Sequence, residues 1–308
     1  MPRVLLTGGT GLIGQRLCRI LEDRGYEVAI LSRRRGNVPQ GNGTATRVHY
    51  WNPDRQEIDE DLVNNCDFII HLAGANIGGK RWTGRRKQQI LESRVGPVDL
   101  IHRKLSLRDS RLKAFISSSA VGYYGARTTG DIFRETDPPA SDFLGETCRK
   151  WEQAADRFAG SGIRTVKIRT GVVLANNGGA LKRMDWLFRL GLGSAIGSGM
   201  QYMPWIHIDD LCQIYILAME QERLHGAYNA VAPEHMSNRI FSKELAKALR
   251  KPFWFPRIPA IFMRLLFGEM SVILLSGSRV SSEKITEAGH VFLYPRLVDA
   301  LREIYPDK

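Results

Sequence analysis

The residues with the clearest chemistry stand near the start of the chain. Gly8, Gly11 and Gly14 form a G-x-x-G-x-x-G run between an apolar stretch at 4–6 and a segment whose apolar residues, Leu12, Ile13, Leu17, Ile20 and Leu21, recur at helical spacing. A strand that turns on glycines into a helix is a phosphate cradle. Side chains are absent where the backbone must approach, and the helix start offers free N–H groups and a positive dipole end. Gly14, inside the first helical turn, lets helix and strand pack closely. The loop and first turn also carry Thr10, Leu12 and Ile13, which are expected to touch the same nucleotide.

A second signal follows the next apolar run. The segment "EVAIL" runs into Ser32, Arg33, Arg34 and Arg35. An acidic residue at the end of a second strand holds a ribose 2′-hydroxyl. An arginine there would instead pair with a 2′-phosphate. The expectation is NADP(H), held by Ser32, Arg33 and Arg34, with Arg33 foremost because it is nearest the strand end.

These residues need elements to position them. Strand-like and helix-like segments alternate from the start to about residue 174: strands at 67–71 and 113–118, a helix at 85–104 that Gly96-Pro97 should bend or restart, and a helix in "FLGETCRKWEQAADRFAGSG". Such alternation predicts an α/β fold of the Rossmann type, a doubly wound parallel sheet with a smaller mixed C-terminal lobe. The nucleotide domain is placed at 1–172, with 206–232 returning to it. The lobe takes 173–205 and 233–308. A helix is expected at 181–190, and another opened by Asp209 or Asp210.

Composition bounds the alternatives. Lys and Arg total 44 against 32 Asp and Glu, a net charge of +12, and 43% of residues are hydrophobic. The basic residues come without a helix-turn-helix, RRM or zinc-finger pattern, so no nucleic-acid partner is expected. Four cysteines at irregular spacings predict neither a metal site nor a disulfide framework. No signal peptide is read, because Pro2 and Arg3 lead straight into an apolar strand, and no membrane span, because Arg264 and Glu269 interrupt the most apolar late stretch. A reduced, cytoplasmic protein is the expectation.

The glycine spacing resembles that of extended, epimerase-like short-chain dehydrogenase/reductases. The segments "KRWTGRRKQQILESRV", "RTGVVLANNGGALKRM", "GSGMQYMPWIHIDDL", "NAVAPE" and "GEMSVILLSGSRV" narrow this. Together, over nearly the whole chain, they resemble the atypical YfcH-like epimerase family, which carries a small C-terminal domain of unknown role. The resemblance implies NADP(H) binding and a small-molecule substrate, with a nucleotide sugar as one candidate. It places Leu72, Ala73 and Gly74 of "HLAG" against the cofactor and Val173 beside the nicotinamide. Arg94 and Gln89 would reach it from the helix after the fourth strand. Superfamily habit suggests a homodimer.

The catalytic pattern of that superfamily is a strand-end Ser, a Tyr acting as acid/base, and a Lys four residues after the Tyr. Ser119 best matches the first. Phe143 stands where the Tyr should be, and Thr147 and Cys148 where the Lys should be. Tyr123 or Tyr124 would have to substitute, with Lys80 or Lys87 as electrostatic helper, and Tyr124 is the chosen proton donor. His71 reads as structural. Gly197, Ser198, Gly199, Gln201 and Trp205 are expected at the pocket mouth, with Trp82 opposite. Two functions compete: an NADP(H)-dependent oxidoreductase or epimerase-like enzyme, and an NADP(H)-binding regulator with little chemistry, since relatives of the resembled family are linked to cell and plastid division.

Overall fold

The computed structural model describes residues 1–34, 46–176 and 178–306. In chain order the elements are β1 Arg3–Thr7, α1 Leu12–Asp23, β2 Glu27–Ser32, β3 Thr46–Tyr50, α2 Glu60–Asn64, β4 Phe68–His71, α3 Gly84–Lys104, β5 Ala114–Ala120, β6 Ile132–Phe133, α4 Phe143–Gly160 and β7 Arg164–Thr170. There follow β8 Val172–Leu174, α5 Gly179–Arg189, β9 Trp205–His207, α6 Ile208–Glu220, β10 Gly226–Ala230, α7 Asn238–Ala248, α8 Ala260–Phe267, α9 Val272–Leu275, β11 Arg279–Val280, α10 Glu283–Glu287 and α11 Leu297–Ile304.

Seven strands form one sheet in the order β10-β7-β5-β4-β1-β2-β3, and every pairing in it is parallel. The order reverses at β1, between β2 and β4. In an open parallel sheet that reversal opens a crevice at the carboxyl ends of the strands, where ligands bind. Side chains alternate across the sheet. Val4, Leu6, Val28, Ile30, Ile70 and Ile116 face one core, shared with Leu17 and Leu21 of α1 and with α6. Leu5, Ala29, Leu31, Ile69 and Phe115 face the other, shared with α3 and α4. Both faces are covered, which is why these strands are short, continuous apolar runs.

A third core joins α5, α7 and α11 through Phe188, Phe241, Leu245, Leu297 and Leu301. A smaller cluster bridges this C-terminal part to the sheet domain: Trp82, Ile90, Leu144 and Met270, flanked by Phe143 and Phe267.

Three local expectations are corrected. Helix α3 runs unbroken through Gly96-Pro97, with Pro97 buried inside it. Proline removes one helical N–H, and here packing against the sheet outweighs that loss. Helix α6 is capped by His207, whose Nδ1 accepts the Asp209 amide at 3.3 Å, and not by an aspartate. Asp209 pairs instead with Arg16, and buried Asp210 accepts the backbone amides of Leu293 and Tyr294. Helix α5 begins at Gly179 rather than 181.

Candidate functional site

The β1–α1 turn is built by what glycine omits. Gly8 holds φ +71, and a Cβ there would meet the Leu72 and Ala73 backbone at 2.9 Å. A Cβ on Gly14 would lie 2.4 Å from the Gly8 carbonyl oxygen. The turn is therefore pressed between α1 and the end of β4, and the Gly11 amide donates to Gly8 O at 2.9 Å. Gly11 caps α1 with no side chain. Thr10 is exposed at the tip and its carbonyl accepts Gln15 Nε2.

The neighbouring strand ends close around this turn. Leu72 N donates to Thr7 O and Ala73 N to Thr7 Oγ1. Thr7 Oγ1 also lies 2.8 Å from His71 Nδ1. Burial pushes the His71 imidazole down to about 3, helped by the nearby Arg94 charge, so it is neutral. The Arg94 guanidinium lies against Gly74 and 5.1 Å from the Trp151 ring centroid, and donates to the Ile90 carbonyl. Burial lowers its pKa, and Arg86 adds to that. Gln89 accepts from Arg86. Leu12 packs on Gly178 and Gly179, and the Val173 carbonyl points to the same spot, so α1, β8 and α5 meet there. At the end of β2, buried Ser32 Oγ accepts the Arg34 amide. Arg33 and Arg34 are exposed. Arg35 lies outside the described residues.

Thus the structure groups Gly8, Gly11, Leu12, Gly14, Leu72, Ala73, Gly74, Arg94 and Val173 around the β1–α1 turn, with Thr10 at its exposed tip and Ile13 packed toward the core. Ser32, Arg33 and Arg34 stand at the end of the adjoining strand.

Ser119 and Tyr124 are placed elsewhere. Ser119 Oγ donates to Glu152 Oε1 at 2.7 Å, and both residues are buried. Glu152 takes Arg169 in a two-point pair, Nε at 2.8 Å and Nη2 at 2.9 Å. Arg169 Nη1 donates to the Tyr124 hydroxyl at 3.0 Å, which donates to Asn229 Oδ1 at 2.7 Å. Burial pushes the Tyr124 phenol up to about 12. With 1% of its surface exposed and its hydroxyl bonded to Arg169 and Asn229, Tyr124 stands in the packed interior in this structure and not on the cavity wall, where a proton donor was expected. The sequence could not show this, because the partners come from α4, β7 and β10. Tyr123 lies with its ring 3.4 Å from the Arg169 guanidinium carbon.

A cavity of about 580 Å³ opens between the sheet domain and the C-terminal part. Trp82, Phe143, Leu144 and Val272 form its apolar walls, and Lys87, Asp142, Arg264 and Glu269 its charged ones. Trp82 and Phe143 meet edge to face with centroids 4.9 Å apart, and Trp82 Nε1 donates to Ile77 O. Phe143 lies in the first turn of α4, after the cap residue Asp142. Lys87 Nζ lies 5.3 Å from the Phe143 ring centroid and 2.7 Å from Glu269. Trp82 is at the expected mouth. Trp205 and Gln201 are not: Trp205 is wholly buried in β9, and Gln201 donates to the Ile196 and Leu274 carbonyls from inside a packed turn. Among the described residues no cluster fit for a metal ion occurs, and no helix is long and apolar enough to cross a membrane.

A seven-stranded parallel sheet with its glycine turn at the strand reversal defines a dinucleotide-binding α/β protein of the Rossmann type. The chain belongs to the NAD dependent epimerase/dehydratase family, which it matches over residues 4–230, and residues 258–304 match a domain of unknown function, DUF1731. It is 36% identical to mouse epimerase family protein SDR39U1 over 305 residues, covering 98% of this chain and 99% of that one. It is 33% identical to Bacillus subtilis epimerase family protein YfhF, with 99% and 98% covered. The crystal structure of human epimerase family protein SDR39U1 (isoform 2) with NADPH superposes with TM-score 0.86 at 34% identity, covering 99% of this chain and all of that one.

Proposed function

We propose that the protein is an NADP(H)-dependent oxidoreductase or epimerase-like enzyme acting on a small carbonyl or hydroxyl compound. The observation that carries this is the glycine cradle: backbone at Gly8 and Gly14 approaches so closely that a single added methyl has no room. Such a cradle fits two linked phosphates at the start of α1. Although the family is described as NAD dependent, the end of β2 carries Ser32, Arg33 and Arg34 and no acid, which favours a 2′-phosphate. The relative solved with NADPH supports the same choice.

In this reading Gly8, Gly11, Gly14 and the α1 amides hold the pyrophosphate, with Thr10, Leu12 and Ile13 around it. Ser32, Arg33 and Arg34 hold the adenosine phosphate. Leu72, Ala73 and Gly74 line the ribose side, and Arg94, with Gln89 behind it, stands by as a buried cation. Val173 and Leu12 wall the nicotinamide end. A bound nicotinamide would supply or accept hydride, and this reading seats the substrate carbon in the 580 Å³ cavity. Trp82, Phe143 and Leu144 exclude water from one side of that carbon. Ser119, through Glu152 and Arg169, ties β5 to α4 and β7 and keeps the strand ends in place. The assay is loss of NADPH absorbance with a panel of carbonyl compounds. Turnover of at least one supports the enzyme.

The regulatory reading has one observation in its favour: Phe143 and Thr147 occupy the places of the acid/base Tyr and its Lys, and Thr147 Oγ1 is bonded to Phe143 O. NADPH binding with no turnover on any carbonyl would select it.

A further inference from the structure

We propose that Lys87, held by Glu269 of the C-terminal domain, is the proton donor to the substrate oxygen in place of the missing tyrosine. This rests on the oxidoreductase reading above and names the group that reading lacks.

The argument starts from the cavity wall. The superfamily tyrosine would project from the position of Phe143, and a benzyl side chain carries no proton to give. The ammonium of Lys87 lies 5.3 Å from that ring's centroid, reaching it from the first turns of α3. It thus brings a transferable proton to the surface where the phenol would have stood.

The other polar groups on the wall are engaged or unsuited. Asp142 accepts the amides of Gly145 and Ala126, at 2.8 and 2.7 Å, and is occupied as the cap of α4. Ser271 Oγ donates to the Gly268 carbonyl at 2.6 Å. Arg264 presents a guanidinium fork, a group suited to pairing with anions. Glu269 lies 2.7 Å from Lys87 and, ionised, only accepts. Away from the wall, Tyr124 is buried and bonded on both sides.

The Lys87–Glu269 pair is also the ionic link between α3 and the segment 268–271, within the domain whose role is undefined. An exposed ion pair adds little stability, between about 0 and 1 kcal/mol. Its value here is positional. A lysine side chain has four rotatable carbons, and the carboxylate fixes its head at the cavity wall. Glu269 is therefore a positioning residue, and the C-terminal domain acts in the chemistry by supplying it. Arg81 Nη2, donating to Leu265 O at 3.2 Å, holds the two parts together beside the pair.

The step balances simply. Hydride from a reduced nicotinamide forms a C–H bond at the carbonyl carbon, and the C=O π pair moves to oxygen. An N–H bond of Lys87 breaks and an O–H bond forms, giving the alcohol, oxidised nicotinamide and a neutral amine. A proton taken up from solvent, which reaches the 64% exposed Glu269 side chain, restores the ammonium, so the cycle consumes one proton for each NADPH oxidised.

The test follows NADPH oxidation by the full chain with three aromatic carbonyl probes suited to the Trp82–Phe143 wall: phenylpyruvate, 4-nitrobenzaldehyde and phenanthrenequinone. Lys87→Ala is expected to lower kcat by about 100-fold or more. Its NADPH Kd, read by calorimetry, is expected to stay within about twofold, which shows that the crevice is folded. Added ethylamine should restore turnover saturably. Lys87→Arg should stay as slow as Lys87→Ala, because it keeps charge but yields no proton. Glu269→Gln should lower kcat about tenfold with KM little changed, and Glu269→Asp should recover part of it. Full activity in Lys87→Ala or Lys87→Arg overturns the proposal and leaves the oxidoreductase reading standing. A wild-type protein that binds NADPH and reduces none of the probes overturns it together with that reading.

Discussion

At the β1–α1 turn the work is done by backbone, in residues close together in the chain. Gly8, Gly11 and Gly14 fall within one turn of chain and helix, and the end of β4 packs on them. At the cavity near Phe143 the work falls to side chains brought from α3, from the start of α4 and from the segment at 268–272, far apart in sequence. At Gly8 and Gly14 the first region leaves no room for an added methyl. The second carries Phe143 and Thr147 where the resembled pattern has a tyrosine and a lysine, and it forms an open, walled cavity. The difference separates two demands. Phosphate binding needs one backbone shape, so it persists. Acid/base chemistry needs one proton at one point, which different side chains can bring.

Substitutions can break this comparison. The largest effect is expected behind both regions. Glu152→Ala leaves Arg169 buried without its carboxylate and frees Ser119, and should destabilise the fold by about 3–5 kcal/mol in urea denaturation. An unchanged midpoint would show that the network is not what holds the strand ends. Next, Gly14→Ala puts a methyl 2.4 Å from the Gly8 carbonyl oxygen. Overpacking of this kind costs about 1–3 kcal/mol, and NADPH affinity should fall by at least about tenfold in calorimetry.

The His71 imidazole sharpens the contrast from the buried side. Unfolded, it takes up a proton near its ordinary 6.5; folded, burial holds it down to about 3. Between those values the unfolded chain binds more protons. Stability should therefore fall as pH drops below about 6.5, at up to about 1.4 kcal/mol per unit, and His71→Asn should flatten that slope in pH-dependent urea melts. Arg33→Glu should reverse the preference between NADPH and NADH by about tenfold or more, read as the ratio of the two Kd values. The smallest effect belongs to the permissive region. Phe143→Tyr adds one hydroxyl at an open wall and should leave NADPH affinity within about twofold.

Much of the crevice was legible because its signals are local. Strand, glycine turn and helix follow within the first 23 residues, and the apolar runs of β1, β2, β4 and β5 announce a sheet covered on both faces. The arginines after β2 sit where strand direction alone puts them. What could not be read depends on contacts between distant segments. Tyr124 follows β5 closely and looks available, yet its hydroxyl is taken by Arg169 and Asn229. Asp210 looks like a helix cap, but it is spent on the amides of Leu293 and Tyr294. Gly96-Pro97 reads as a break, yet α3 continues because its buried face, with Pro97, Val98 and Ile101, packs on the sheet. The nearness of Lys87 to Phe143 needs α3 and α4 side by side, which neither segment states.

The central claim is that the turn between β1 and α1, with the arginines after β2, binds a phosphorylated dinucleotide. Calorimetric titration of the purified chain with NADPH tests it most directly, with NADH in parallel. One molecule of NADPH should bind per chain, more tightly than NADH. Absence of saturable binding by NADPH, or a clear preference for NADH, would contradict it.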